Sequence, residues 1–249
     1  MSYTDLHTHS VFCDGKSTPE EMVISAIDKG LDTLGIVVHS YTEFDKSYAV
    51  KLENEPIFLS EMARLKSKYA DKIRLLAGVE RDIFSTEVDD GYDYTIGSVH
   101  YIERGGEYYP LDWSADRLTA LAEEHFGGDM IALCEEYYSL VSKIPEKFTP
   151  DIVGHIDLIT KFNEGGVLFD TASPRYVAAY RAAVDALIPT GALFEINTGA
   201  VSRGYRTSPY PASDIIDYIK SRGGKFTLSS DAHRAENIAF GFPDFEKLL

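Results

Sequence analysis

Six of the chain's seven histidines stand in short settings where an imidazole could hold a metal ion: His7-Thr8-His9, His39, His100, His155 and Asp231-Ala232-His233. Three carboxylates keep them company, Asp14, Glu80 and Asp231. Imidazole and carboxylate are donors that zinc, manganese and iron accept. Residues i and i+2 of an extended segment point the same way, so His7 and His9 suit a shared ion. Six histidines and three carboxylates exceed the needs of one tetrahedral ion and suit two or three ions that share a bridging carboxylate. A lone histidine after a strand is usually a hydrogen-bonded core or loop residue, so the case rests on the recurrence. His125, beside Glu123 and Glu124 in a helical stretch, reads as a surface residue.

What unites the six is their position along the chain. Short apolar runs cover Tyr3–His7, Thr33–His39, Ile73–Glu80, Tyr94–His100, Ile152–His155, Ala192–Asn197 and Lys225–Ser230, most of them rich in Val, Ile, Leu, Phe and Tyr, as buried strands are. Apart from Asp14, the candidate donors fall at or just past the ends of these runs. Only the sixth differs, closing on Glu195-Ile196-Asn197. Helical signals lie between the runs. Thr18-Pro19-Glu20-Glu21 reads as a capping box with proline at the first helical position, and Gly30 as the stop. Further helices are predicted over Ile57–Tyr69, over Ser114–Ile144 with a break at Gly127-Gly128, from Ser173-Pro174 to Leu187, and over Ala212–Ser221.

Strand and helix thus alternate about seven times, which implies parallel strands joined by crossover helices. No GxGxxG or GxxxxGK[ST] follows the first run, so neither nucleotide fingerprint favours an open sheet. The expectation is an α/β fold, a seven-stranded TIM-like β/α barrel in one domain over residues 1–249. In such a barrel the carboxyl ends of the strands converge on one face, where active sites are built.

Composition narrows the chemistry. Forty acidic against twenty-four basic residues leave a net charge of −16. That argues against a nonspecific nucleic-acid or anionic-membrane binder, because phosphates are repelled at long range. Cys13 and Cys134 cannot form a disulfide framework, no apolar stretch reaches the ~20 residues of a membrane span, and the first residues do not resemble a signal peptide. The expectation is a cytoplasmic protein with a small-molecule partner, no nucleic acid and no membrane; its oligomeric state stays open.

Asp5-Leu6-His7-Thr8-His9 with Asp14-Gly15, His39, Gly78-Val79-Glu80, Gly97-Ser98-Val99-His100, Gly154-His155 and Ser230-Asp231-Ala232-His233, taken in order, resemble the motif series of the PHP (polymerase and histidinol phosphatase) superfamily. The resemblance implies a distorted seven-stranded barrel and a trinuclear centre of divalent ions (zinc, manganese or iron). Residue by residue it implies His7, His9, Glu80 and Asp231 on one ion, Glu80, His100 and His155 on a second, and Asp14, His39 and His233 on a third. Val38 stands where the family often has an acidic residue, which removes a supporting partner and no ligand. Asp93–Ile102, Gly154–Ile159 with Lys161-Phe162, and Glu195–Thr198 with Ser202-Arg203 and Pro209-Tyr210-Pro211 look most like the histidinol-phosphatase branch.

The activity so implied is hydrolysis of a phosphate monoester, L-histidinol phosphate above all, by a hydroxide bridging two ions, with Glu80, Asp231 and His233 as the catalytic residues. Metal binding brings the pKa of water from 15.7 to about 7. Arg203 is the foremost protein cation for the phosphate, since a guanidinium offers two parallel donors. Ser202, Asn197 and Arg206 from the same region and Lys161 after the fifth run are further candidates for substrate binding. Tyr41, Glu43, Glu103 and Trp113 follow the second and fourth runs and could reach the rim. Competing readings are a PHP-type phosphatase or nuclease acting on nucleotides or oligonucleotides, a protein-tyrosine phosphatase, and a noncatalytic metal-binding module.

Overall fold

The computed structural model describes residues 3–86 and 91–249. Seven strands form one parallel sheet: β1 (Thr4–Asp5), β2 (Thr33–His39), β3 (Arg74–Asp82), β4 (Tyr94–Ser98), β7 (Ile152–Val153), β8 (Leu193–Asn197) and β9 (Lys225–Ser229), in that spatial order. The first and last edges meet. Thr8 bridges Ala232 in parallel, and the His9 N–H donates to the Ala232 carbonyl at 2.8 Å, so the sheet closes into a barrel. The seven predicted strands are all present. β1 is short because residues 7–9 leave the ladder to point inward, bridging Ala232 on one side and Val37 on the other.

Asp5 fastens the seam. Its buried carboxylate accepts from the Ser230 N–H and hydroxyl and from the Ala239 N–H, which ties the start of the barrel to its end. Inside the barrel Val37, Tyr94, Ile96 and Ile152 pack together, with Leu6 and Leu193 against them. Tyr94 crosses this interior and donates to the Leu6 carbonyl.

Helices cover the outside. They are α1 (Pro19–Asp28), α2 (Glu55–Lys68), α3 (Ala115–Phe126), α4 (Met130–Ser142), α5 (Ile144–Lys147), α6 (Pro174–Leu187), α7 (Gly199–Ser202), α8 (Ser213–Ser221) and α9 (Phe242–Phe245). α1 starts at the expected capping box, with Thr18 and Glu21 satisfying each other's backbone N–H. α3 ends at Gly127 in the left-handed conformation, where the sequence broke. One apolar cluster, including Leu133, Tyr137, Tyr176 and Val184, lies under α3 to α6. A second, including Met22, Ile36, Phe58 and Leu65, lies under α1 and α2.

The short helices α7 and α9 were not anticipated, and neither was a hairpin. An antiparallel hairpin, β5 (Tyr101–Arg104) and β6 (Glu107–Pro110), leaves the barrel directly after His100. Gly105 and Gly106 form its two-residue turn, both at positive φ, as the tight hairpin turn requires.

Candidate metal centre

The carboxyl ends of the barrel strands face a cavity of about 520 Å³ lined by Asp14, His39, Glu80, His100, His155, Asp231 and His233. His7 and His9 are fully buried at its base. All nine residues expected to hold metal therefore converge. Glu80 is the hub. Its Oε2 lies 3.1 Å from His7 Nε2, 3.4 Å from His9 Nε2 and 3.0 Å from His39 Nδ1, and its Oε1 lies 3.2 Å from His100 Nε2 and 3.1 Å from His155 Nε2. Asp14 faces His39 at 3.5 Å and His233 at 3.2 Å. Asp231 faces His9 at 3.6 Å, His7 at 3.8 Å and His233 at 3.5 Å. Three ligand groups emerge from the distances: His7, His9 and Glu80; His39, Glu80 and His100; and His9, Asp14, His39 and His233.

The donor set fits cations by a direct test. Glu80 Oε2, Asp14 Oδ1 and His39 Nδ1 are buried polar atoms without a hydrogen bond. A buried carboxylate oxygen in that state is costly unless a cation meets it. The charges around it are strongly perturbed. Burial alone would lower the His7 pKa, but Glu195, Glu80 and Asp231 overcome it and hold the imidazole well above its ordinary value. His39 is pushed up to about 9 against its burial, by Glu80 and Asp14. His9 goes the other way, down to about 3, through burial and the neighbouring His39 and His233. Burial opposes ionisation of Glu80, yet His7, His39 and His100 hold its carboxyl well below the usual range.

A supporting layer orients the donors. Glu195 Oε1 meets His7 Nδ1 at 2.7 Å, and its Oε2 accepts from the His155 N–H at 3.1 Å. Asp82 Oδ2 accepts from the His100 N–H at 2.8 Å and lies 3.1 Å from His100 Nδ1. The Ser98 hydroxyl donates to Glu80 Oε1 at 2.7 Å. Such carboxylate–histidine pairs fix the tautomer and aim the other ring nitrogen at the metal. Sequence reasoning missed Glu195 and Asp82 as site residues. The available signal was alternation, since Asp82 stands two residues past Glu80 on β3 and Glu195 two residues before the end of β8. Asp231 has φ 49, a left-handed conformation unusual for a residue with a side chain, and strain of this kind clusters at functional sites.

The expected substrate-binding residues divide. Arg203 and Lys161 line the cavity. Arg203 donates to the Asp231 carbonyl at 3.0 Å and to its Oδ2 at 3.1 Å, and Lys161 donates to the Asp112 carbonyl at 2.7 Å. The other three sit elsewhere. Asn197 is fully buried and spends its amide on Glu195 and on the Gly199 N–H. The Ser202 hydroxyl donates back to the Gly199 carbonyl inside α7. Arg206 is buried against Asp157 at 3.8 Å, donates to the Thr160 hydroxyl, and stacks over Tyr210. None of these three lines the cavity. Of the rim candidates only Trp113 does, whereas Tyr41, Glu43 and Glu103 do not. His125 lies in α3, its ring tilted against that of Tyr109 and apart from the centre.

Cys13 Sγ lies 3.5 Å from His9 Nδ1, and burial pushes its thiol up to about 12, so it is a packed, protonated neighbour of the centre.

A closed parallel barrel with an imidazole–carboxylate cup at its carboxyl face defines a metal-dependent α/β-barrel enzyme. The PHP domain family profile matches residues 5–199, and the chain belongs to that family. A relative from Deinococcus radiodurans named "Probable histidinol-phosphatase" is 30% identical, aligned over 98% of this chain and 91% of the relative. Two solved structures share the fold. One from Listeria monocytogenes has a TM-score of 0.82 at 23% identity, over 97% of this chain and 99% of the other. One from Lactococcus lactis, a histidinol phosphate phosphatase in complex with zinc, L-histidinol and phosphate, has a TM-score of 0.74 at 21% identity, over 99% of this chain and 92% of the other.

Proposed function

We propose that this protein hydrolyses a phosphate monoester, L-histidinol phosphate, to L-histidinol and inorganic phosphate. One observation carries the metal dependence. The cavity lining holds five carboxylates (Asp14, Asp45, Glu80, Asp112 and Asp231) against four cations (Lys16, Lys161, Arg203 and Arg234). Metal binding displaces protons from the imidazoles, and with the imidazoles neutral the lining by itself does not attract a phosphate dianion, so the divalent ions supply the positive charge that holds it. The name of the Deinococcus relative and the ligands of the Lactococcus protein support this substrate.

In this reading three ions share the cup: one with His7, His9, Glu80 and Asp231, one with Glu80, His100 and His155, and one with Asp14, His39 and His233. Zinc, manganese or iron held there would supply positive charge to the phosphoryl oxygens and acidify a water molecule. The chain's own residues do the rest. Glu195 and Asp82 hold His7 and His100 in one tautomer. Arg203 and Lys161 meet the phosphate from the wall, and Arg203 also steadies Asp231. Asp231 and His233, their side chains 3.5 Å apart, are the pair we assign to taking the proton from the attacking water and returning it to the departing alkoxide. The reducing cytoplasm is the setting we assign, in keeping with two free cysteines. Among the described residues no helix is long and apolar enough to cross a membrane.

The test is phosphate release from a panel of monoesters, with metal content measured on the same sample, before and after chelation and metal return. A rate for histidinol phosphate no better than for p-nitrophenyl phosphate sinks the substrate assignment. Activity that persists in metal-free protein sinks the metal mechanism.

A further inference from the structure

The cavity extends beyond the metal donors, and part of its wall comes from outside the barrel. Hairpin β5–β6 departs at His100 and returns to it, where the Leu111 N–H donates to the His100 carbonyl at 2.9 Å. That closure delivers the next two residues, Asp112 and Trp113, to the cavity beside a metal donor. Trp113 is the chain's one tryptophan and is 61% exposed. The Arg117 guanidinium stacks on its indole, 4.3 Å from the ring. Asp112 Oδ2 lies 3.2 Å from Lys161 Nζ, and that ammonium lies over the Tyr205 ring at 4.8 Å. A carboxylate and an exposed indole thus stand side by side on the wall, the carboxylate beside Lys161, while Arg203 stands against Asp231.

This pairing has a chemical meaning. A carboxylate attracts an ammonium group, and a flat π-face takes a planar ring or a cation. We infer that Asp112 and Trp113 form the leaving-group subsite, Asp112 meeting the amine and Trp113 stacking on the imidazole, so that the hairpin sets which monoester is preferred. The inference rests on the histidinol phosphate reading. Its structural rival makes Asp112 only the counter-ion of Lys161 and Trp113 only a loop residue covered by Arg117.

Two measurements on the metal-loaded full chain separate these. Indole emission reports on Trp113 alone. L-histidinol is expected to shift it saturably and inorganic phosphate to leave it unmoved. No response at L-histidinol concentrations that inhibit turnover overturns the inference. The second readout is the ratio of kcat/KM for histidinol phosphate to that for glycerol 3-phosphate, which has neither amine nor ring. Trp113→Ala should lower this ratio about three- to tenfold, the size of one lost stacking contact, and Trp113→Phe should restore most of it. Asp112→Asn should lower it about tenfold. A ratio unchanged in Trp113→Ala and Asp112→Asn overturns the subsite while leaving the substrate standing. A wild-type ratio near one overturns the substrate reading, and the subsite with it.

Discussion

Glu195 never faces the cavity, yet the geometry makes it decisive for metal binding. It is 2% exposed, and its two oxygens serve different ligands: Oε1 takes the His7 Nδ1 position at 2.7 Å, and Oε2 accepts from the His155 backbone. Asn197 holds the carboxylate in place, donating to Oε2 at 3.0 Å while its own oxygen accepts from Gly199. Glu195→Gln preserves the volume and removes the charge. Losing an outer carboxylate of this kind typically costs about 10–100-fold in metal affinity, or roughly 1.4–2.7 kcal/mol. The effect has a pH signature. Burial would depress the His7 pKa, but Glu195 is foremost among the carboxylates that raise it, so in metal-free protein an entering ion must displace a proton. Glutamine lowers that pKa and eases the competition. The wild-type advantage is therefore greatest at alkaline pH and shrinks as pH falls. Competition with a chromophoric chelator across pH measures this directly. Equal affinities at alkaline pH, or an advantage that grows toward acid, would refute the orienting role.

Other perturbations follow from the same geometry. Arg203→Ala should raise KM for the phosphate ester about tenfold or more, and because Arg203 also holds Asp231 at 3.1 Å, kcat should fall with it in steady-state assays. Gly199→Ala would put a methyl 2.8 Å from Asp231 Oδ2 and 2.9 Å from Arg203 Nη2; forcing that pair apart should cut kcat/KM about tenfold or more with little change in far-UV circular dichroism. Chelation should lower the melting temperature by roughly 5–10 °C, since ligand at a hundredfold excess over Kd contributes about 2.7 kcal/mol of stability to a chain of this size. Glu20 links α1 to Lys68, Tyr69 and Arg64, and those bonds pull its carboxyl down to about 2 from 4.5. Its stabilising contribution is complete above about 4.5 and lost as pH falls toward 2, so Glu20→Gln should flatten the acid limb of a melting-temperature profile.

Much of this architecture was legible before any coordinates. Buried parallel strands announce themselves as apolar runs, and β2 spans Thr33–His39 as its run predicts. Eight of the nine metal donors were legible because they stand at or just past strand ends, and Asp14, in the loop between β1 and α1, through the motif it forms with Gly15. What escaped had a different physical origin. The hairpin carried its signal in Gly105-Gly106 between residues of strand character, but it lies outside the barrel's alternation and so outside the pattern being followed. Asn197 ends the sixth run and Ser202 and Arg206 follow it, so all three were expected at the mouth. Loop proximity does not set direction: Asn197 turns to Glu195, Arg206 to Asp157, and Ser202 back into α7. Glu195 and Asp82 escaped because a supporting carboxylate is defined by what it touches across the barrel.

The electrostatics explain how such a site survives folding. Glu80 and Asp231 are buried acids and Asp14 a half-buried one, and burial by itself pushes all three toward the neutral form. They stay ionised because the Arg203 guanidinium stands beside Asp231 and imidazoles surround all three, with His7, His39 and His100 raised above their ordinary values against the pull of burial. Protons on His7, His39 and His100 thus balance the same carboxylate charges that divalent ions would balance. Metal and proton compete for the same nitrogens, which couples ion uptake to pH. It also separates the overall charge of −16 from the chemistry. The surface acids repel a phosphate at long range, and the ions in the cup reverse that sign over the last few ångströms, where the ester is held. Selectivity among esters would not come from ions held there, since the phosphoryl group they would meet is common to every monoester. It has to come from the protein wall around them, and the part of that wall carried outside the barrel is the hairpin that returns to His100.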